Sequence, residues 1–498
     1  MMLKSTLKQL YLSIHKNSVF FVIYLMSTIF FLYQHHIILG WDFSAYVLNA
    51  KSLFGNGSYL EIHRAPLVPL IIFILSFAGY RTAEFLYIFL VSSLYALSCF
   101  LLGKSLKVNP ALFYFFSLQP FVLVVGMLQG SEILSLALMN IFLSSILDRR
   151  NGGLFLGLAL LARYQNFIFV MLTLWYRNLK KITLNLLIAA TPVVVWLIYS
   201  KVVFGNFFAS IFDAYMMNIK FASYMHPKLN LSHFFAVMNY LLPFVIAGFV
   251  VIFFHDKKQN KIKHSSRVFH ATLMLTVIVL AVYSYLSIKI RIARYLFPLV
   301  TPIAFFSSAF FSSVKLPEKR LLYQIIITYF VASFIILKLG DFADVYSFNV
   351  GEHKDVIGII KTFNRSNCAV SSNSYTYLNY LGMLTVPYPR KGMLKYYLDE
   401  GYTVVLFTSF NEPSYAKNIS FLERFPLLYR DERFLIIANK SLCKLAEPYK
   451  KSFLERLNET TTFLYGYHTP TNGCAVIFKN NLLQEICTRI NLWELAND

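Results

Sequence analysis

Long apolar runs, separated by short polar and basic segments, recur from residue 18 to about residue 339. Runs such as "SVFFVIYLMSTIFFLYQHHIIL" and "FFAVMNYLLPFVIAGFVVIFF" reach the roughly 20 residues that a helix needs to cross a bilayer. The pattern predicts eleven spans, at approximately 18–39, 83–103, 110–127, 131–148, 152–162, 165–177, 182–204, 233–254, 268–287, 295–313 and 321–339. The fifth and sixth are short halves of one apolar stretch broken at "ARYQN". The run 65–79, "APLVPLIIFILSFAG", has 15 residues and two prolines, which fits an interfacial or re-entrant helix better than a span. The first run is too long, and too poorly followed by a cleavage site, for a removable signal peptide.

From about residue 341 the pattern changes. Apolar runs shorten to strand length in "YTVVLFTSF", "RFLIIAN" and "CAVIFK", with helix-like pieces such as "EHKDVIGIIKTFN" and "KKSFLERL" between them. The expected architecture is therefore a multi-pass α-helical membrane domain over 1–340, with a first outer loop at 40–82, followed by a soluble α/β domain over 341–498. Four of the five cysteines (Cys368, Cys443, Cys474 and Cys487) fall in that second domain. They are one or two disulfides in an oxidising compartment, or else buried thiols. Cys99 lies in a span and reads as packing.

Composition sharpens the class. The 498 residues are 57% hydrophobic and only 14% charged, well below the charge of a soluble chain. The net charge of +22 does not indicate nucleic acid, because Lys and Arg are spread over loops without a basic stripe or nucleic-acid motif. In a membrane protein such loops report orientation. With 65–79 left out of the span count, the basic clusters "GKSLK", "DRR", "RNLKK", "HDKKQNKIKHSSR" and "KLPEKR" all share the N-terminal, cytoplasmic side. The sequons at Asn56, Asn230, Asn364, Asn418, Asn439 and Asn458 all fall on the opposite side. The C-terminal domain is then extracytoplasmic, at the cell membrane or, in a eukaryote, the endoplasmic reticulum.

Few polar residues sit where chemistry needs them. Asp42 ends the first span and precedes "FSAYVLNAKSLF". It reads as the N-cap of an amphipathic interfacial helix, as a carboxylate able to take a proton from an attacking alcohol, or as both. Arg163 divides two half-spans, where a charge must line a wet cavity or pair with an acid. Arg291 and Arg294 in "KIRIAR" share one face if that segment is helical. Ser131 and Glu132 open the fourth span as a capping pair or a substrate contact. Glu61, His63 and Arg64 lie in the first outer loop, while His35 and His36 read as interfacial. The outward-facing Lys220, Lys228 and Lys289 read equally well as headgroup contacts.

The stretch "SAYVLNAKSLFGNGSYLEIHRAPLVPLI" after Asp42 resembles the first outer loop of the GT-C superfamily of polyprenyl-phosphate-sugar-dependent glycosyltransferases. Protein O-mannosyltransferases and lipid A aminoarabinose transferases belong to that superfamily. "QGSEILSLALMNIFL", "GLFLGLALLARYQNFIFVML" and "RIARYLFPLVTPIAFF" are similar to three later motifs of that superfamily, in the same order. The chain departs from it at Phe43, where an acid often follows the first, and at the single Pro66 where a Pro-Pro pair is common. No "WWDYG"-like motif occurs, which argues against en bloc glycan transfer. The resemblance implies a membrane glycosyltransferase moving a sugar, a mannose-like hexose, from a polyprenyl- or dolichyl-phosphate carrier. The acceptor would be a lipid-linked glycan or a protein. Asp42 would be the base of an inverting displacement, with Arg163, Arg291 and Arg294 on the donor phosphate. Glu132, Glu61, His63, Arg64, Tyr164 and Tyr295 would contact substrate. The resemblance requires no cofactor, although Asp42 and Glu61 are the two carboxylates that a divalent metal would use, as in some relatives. The competing functions are a transporter or flippase of polyprenyl-linked glycans, with arginines along its path, a glycan ligase or polymerase, and a non-catalytic surface receptor.

Overall fold

A computed structural model describes residues 17–225, 230–255, 261–288, 291–314, 318–339, 347–348, 350–408 and 413–458. Among the described residues, six helical segments are by length and composition able to cross a membrane: Ser18–Ile37, Tyr80–Ser105, Leu179–Phe204, Leu231–Phe254, Ser265–Ser287 and Ala293–Ser313. The shorter apolar helices Glu132–Leu147, Gly153–Ala162 and Arg320–Ile335 occupy further expected spans. The run 65–79 forms helix Leu67–Leu75 and a turn Ser76–Ala78, too short to cross.

The fifth and sixth expected spans are indeed two pieces: helix Gly153–Ala162, then a 3-10 segment Tyr164–Tyr176, with Arg163 in extended backbone between them. The first piece packs closely on helix Leu179–Phe204. Asn185 Oδ1 accepts from the amides of Gly152 and Gly153, both at 2.8 Å. A Cβ at Gly153 would lie 2.2 Å from the Asn185 carbonyl oxygen, and one at Gly157 would lie 2.3 Å from that of Ala189. Two glycines four apart thus let the helix backbones touch. Helix Leu179–Phe204 itself stops at Gly205, whose φ of 73° is the left-handed C-cap conformation.

The C-terminal region carries a five-stranded sheet. Its strands are β4 (Val370–Ser372), β5 (Thr385–Pro387), β6 (Thr403–Phe407), β7 (Leu427–Arg430) and β8 (Phe434–Ile437), in the order β5-β4-β6-β8-β7. The pairs β5-β4 and β4-β6 are parallel, and the other two are antiparallel. Alternation along β6 serves both faces. Val405 and Phe407 pack with Val356 and Ile360 of helix Val350–Thr362, while Val404 and Leu406 pack with Leu394 and Leu398 of helix Leu394–Asp399. Cys368 and Cys443 form a disulfide, whereas Cys474, Cys487 and the expected strand "CAVIFK" lie outside the described residues. Cys99 is a buried thiol.

This region is joined to the first outer loop. Strand β1 (Leu39–Gly40) pairs antiparallel with β3 (Ser347–Phe348), and β2 (Tyr59–Leu60) pairs parallel with β9 (Tyr449–Lys450). Helix Tyr375–Tyr380 lays Tyr375 and Tyr377 edge-on to Trp41, both at 5.1 Å.

Candidate active site

Asp42 is not a helix cap. Gly40 caps helix Trp41–Leu53, and Asp42 sits in its first turn. Nor is that helix a surface amphipath, because residues 43–50 are all buried beneath the outer loop and the C-terminal region. With every face covered, Asp42 meets two guanidiniums. Arg64 Nη1 lies 2.6 Å from its Oδ1, and Arg294 Nη1 donates to its Oδ2. Burial pushes the Asp42 carboxyl up, but Arg294 and Arg64 outweigh it and hold the group well below the usual carboxylate range.

Arg294 comes from a 3-10 helix, Ala293–Leu299. It also donates to Gln129 Oε1 at 3.3 Å and lies 3.9 Å from Glu132 Oε1. Glu132 in turn is ion-paired with Arg163. Ser131 precedes the helix without capping it through its side chain, and donates to Glu132 Oε2 at 3.1 Å instead. Arg163 also donates to Gln165 Oε1 at 2.9 Å. The ring of Tyr295 lies 5.8 Å from both Arg163 and Arg294.

On the other side of Asp42, Arg64 Nε lies 2.6 Å from Glu61 Oε2. Glu61 is held at three points. Asn49 Nδ2 donates to its carbonyl at 2.8 Å, its amide donates to Asn49 Oδ1 at 2.9 Å, and the Tyr59 hydroxyl donates to its carboxylate. His63 Nε2 lies 3.5 Å from Glu61 Oε2, and its Nδ1 lies 3.6 Å from Asp213 Oδ2. Asp213 is ion-paired with Arg456 at 2.7 Å.

The expected residues Asp42, Arg163, Arg294, Glu132, Glu61, His63, Arg64 and Tyr295 thus come together. Arg291 does not share a helix face with Arg294. It precedes the 3-10 helix, where its Nη2 donates to the Leu286 carbonyl at 3.5 Å. Tyr164 stands behind the site, bonded to Ser210 Oγ at 2.7 Å and to the Trp196 indole at 3.1 Å. His35 is not interfacial but buried against Glu84 at 2.8 Å, while His36 is exposed. Lys228, Lys289 and the side chain of Lys220 lie outside the described residues. Asp42 and Glu61 do not suit a shared metal, because the Arg64 guanidinium bridges them and fills that place. Sequence reasoning missed Gln129, Asn49, Asp213 and Arg456. An acid in the otherwise uncharged run "ASIFDAYMMN" was the available signal for Asp213, since such an acid needs a partner.

A cleft opens on the Arg163–Arg294 side. Glu132, Arg163, Gln165, Arg294 and Tyr295 line its polar end, with Leu136, Met139, Leu143, Phe169 and Val277 beyond them. Leu143 is eleven residues along the helix from Glu132, so the cleft runs about 16 Å into the spans. Its chemistry suits an anionic head on an apolar tail, the two guanidiniums meeting the anion where water is scarce.

The chain is a polytopic bundle capped by an α/β region, with paired acids and arginines at their junction. The chain is similar to the crystal structure of ArnT from Cupriavidus metallidurans bound to undecaprenyl phosphate, with a TM-score of 0.52 at 11% identity over 85% of this chain and 98% of that one. The apo structure of the same protein matches with a TM-score of 0.49 at 12% identity. No family signature and no curated protein matches the sequence. The likeness is one of fold.

Proposed function

We propose that the chain is an integral-membrane glycosyltransferase that moves a sugar from a polyprenyl-phosphate carrier to an acceptor hydroxyl on the extracytoplasmic face. The carrying observation is the cleft that places Arg163 and Arg294 at the head of an apolar channel, next to Asp42. The neighbouring fold, ArnT, was solved with a lipid of that class.

In this reading the carrier phosphate enters between Arg163 and Arg294 and competes with Asp42 for Arg294. A carboxylate clamped by two guanidiniums is a weak base. Loss of Arg294 to the phosphate frees Oδ2 and makes it more basic, while Arg64 keeps Oδ1 in place. Asp42 then takes the acceptor proton. The acceptor oxygen attacks the anomeric carbon, the carbon–oxygen bond to phosphate breaks, and the lipid phosphate leaves as an anion between the two arginines. One displacement inverts the anomeric centre. A mannose-like hexose is the first donor sugar to try, and a lipid-linked glycan or a protein the acceptor.

The test is sugar transfer from undecaprenyl-phosphate-mannose and undecaprenyl-phosphate-glucose by wild type and Asp42→Asn in parallel. Release of lipid phosphate by wild type alone is expected. Equal turnover by both would remove Asp42 as the base, and undecaprenyl phosphate failing to bind the wild type would remove the enzyme reading.

A further inference from the structure

The Arg163–Arg294 cleft and Asp42 account for one half of a longer buried chain of charges. The other half leads away from the cleft into the C-terminal region and ends on Arg456. This residue lies in helical residues 453–458, which begin with a reciprocal capping box. The Ser452 amide donates to Glu455 Oε2 at 2.7 Å, and the Glu455 amide donates to Ser452 Oγ at 3.2 Å. Pairing of β9 with β2 brings this segment to the outer loop, and Phe453 and Leu457 pack with Ile62, Phe212 and Met216. Arg456 therefore points into the same interface that those two apolar side chains close.

There Nε of Arg456 lies 2.7 Å from Asp213, and its Nη2 lies 3.3 Å from His63 Nδ1. The same Nδ1 lies 3.6 Å from Asp213, so one edge of the ring meets the Arg456–Asp213 pair and Nε2 faces the other way. That nitrogen is the one 3.5 Å from Glu61 Oε2. Glu61 then fixes Arg64, and Arg64 fixes Asp42 Oδ1. With His63 neutral, the guanidiniums of Arg64, Arg163, Arg294 and Arg456 balance the carboxylates of Asp42, Glu61, Glu132 and Asp213. Loss of Arg456 would leave Asp213, which is 1% exposed, with a surplus charge. His63 would be the nearest group left to answer it, turning away from Glu61.

We propose that Arg456 is a positioning residue for the transfer reaction: acting through Asp213 and His63, it holds Glu61 and Arg64 so that Asp42 keeps its aim at the acceptor. The proposal rests on the glycosyltransferase reading. Its physical basis is that a base displaced by about 1 Å, from a site remote from the chemistry, loses rate rather than donor affinity, on the order of tenfold to a hundredfold.

The experiment compares wild type with Arg456→Gln, Arg456→Lys and the double variant Arg456→Gln/Asp213→Asn in the full-length protein. Two readouts are taken: lipid-phosphate release from undecaprenyl-phosphate-mannose, and amide hydrogen exchange. Arg456→Gln is expected to lose about tenfold to a hundredfold in kcat with donor KM within about twofold. Its exchange should quicken over 59–67 and the first turn of Trp41–Leu53, but not across the distant spans. Arg456→Lys should recover most of the rate. The double variant should stay slow, because His63 has then lost its anchor on that side. Recovery by the double variant would overturn the proposal, leaving Arg456 as a neutraliser of Asp213 alone. So would wild-type kcat in Arg456→Gln, or exchange that quickens everywhere. If the wild type releases no lipid phosphate from this donor, the mannose assignment falls and exchange decides the coupling: local loosening around Glu61 and Arg64 keeps it, and unchanged exchange overturns it.

Discussion

Replacing Arg294 by alanine separates donor binding from base placement. Arg294 touches Asp42, lies 3.3 Å from Gln129 Oε1 and 3.9 Å from Glu132 Oε1, and lines the cleft. Two unit charges 4 Å apart interact by about 4 kcal/mol at the effective dielectric of a protein surface. A phosphate that captures Arg294 must first displace Asp42, so most of that energy cancels between free and bound states. What remains is the gain of charge-assisted hydrogen bonds, about 1.5–3 kcal/mol, or roughly a 10- to 100-fold loss in affinity. In Arg294→Ala the Asp42 carboxylate also faces the phosphate with one cation fewer, which acts in the same direction. The assay is inhibition of transfer by undecaprenyl phosphate, read as Ki, with Arg64→Ala as control. Arg64 contacts Asp42 and Glu61 but is absent from the cleft lining, so its loss should lower kcat and leave Ki within about twofold. An unchanged Ki in Arg294→Ala, or an equal rise in both variants, would refute the assignment of Arg294 to the phosphate.

The buried acids fix the direction of pH effects. Burial pushes Asp42, Glu61 and Asp213 up, yet the guanidiniums beside them leave all three below their ordinary range. Groups held low contribute stability that is present above the ordinary carboxylate range and lost only as pH falls through it. Melting temperature and kcat/KM should therefore show no limb from these acids between about pH 5 and 8; an acid limb near pH 6 that vanished in Asp42→Asn would contradict the ion-paired arrangement. The disulfide Cys368–Cys443 spans a sequence separation of 75, worth about 4 kcal/mol in the chain-entropy picture. Reductant, or Cys443→Ser, should lower the thermal midpoint of the C-terminal region, read by hydrogen exchange, and an unmoved midpoint would show the bridge to be dispensable. At Gly40 a Cβ would lie 1.8 Å from the Leu128 carbonyl oxygen. Gly40→Ala should cost about 1–3 kcal/mol and most of the activity, since it pushes the helix bearing Asp42 away from the turn bearing Gln129. Wild-type turnover in that variant would count against so tight a junction.

Local pattern carried the elements that are local in origin. Six of the expected spans, the short run at 65–79, the break at "ARYQN" and the strands "YTVVLF" and "FLII" follow from apolar run length and alternation, which each segment encodes by itself, whereas the expected span 110–127 is divided into helix Pro110–Ser117 and a π segment Val122–Gly126. Arg163 was legible for a related reason: a charge between two apolar halves requires an acid or a cavity, and it has both. The pairings were not legible. Arg294 meets Asp42 across 252 residues, and Arg456 meets Asp213 across 243, so nothing in either neighbourhood names the other. The expected N-cap role of Asp42 failed because β1 enters the helix two residues earlier, leaving Gly40 as the cap. The expected shared face of Arg291 and Arg294 failed because the chain is extended at Ile292, with φ −125° and ψ 150°.

The arginines, alike in sequence, sort by what lies beyond them. Arg163 and Arg294 face the cleft; Arg64 and Arg456 face the outer loop and the C-terminal cover. Asp42 stands on the border with one oxygen committed to each side, Oδ2 to Arg294 and Oδ1 to Arg64. An anion arriving in the cleft can take only the first of these contacts. On the proposed mechanism, the event that seats the leaving group therefore unmasks the base, while the second contact keeps its direction. On that mechanism such a site stays quiet until the carrier is bound, because the free carboxylate it needs does not exist before the phosphate has claimed Arg294.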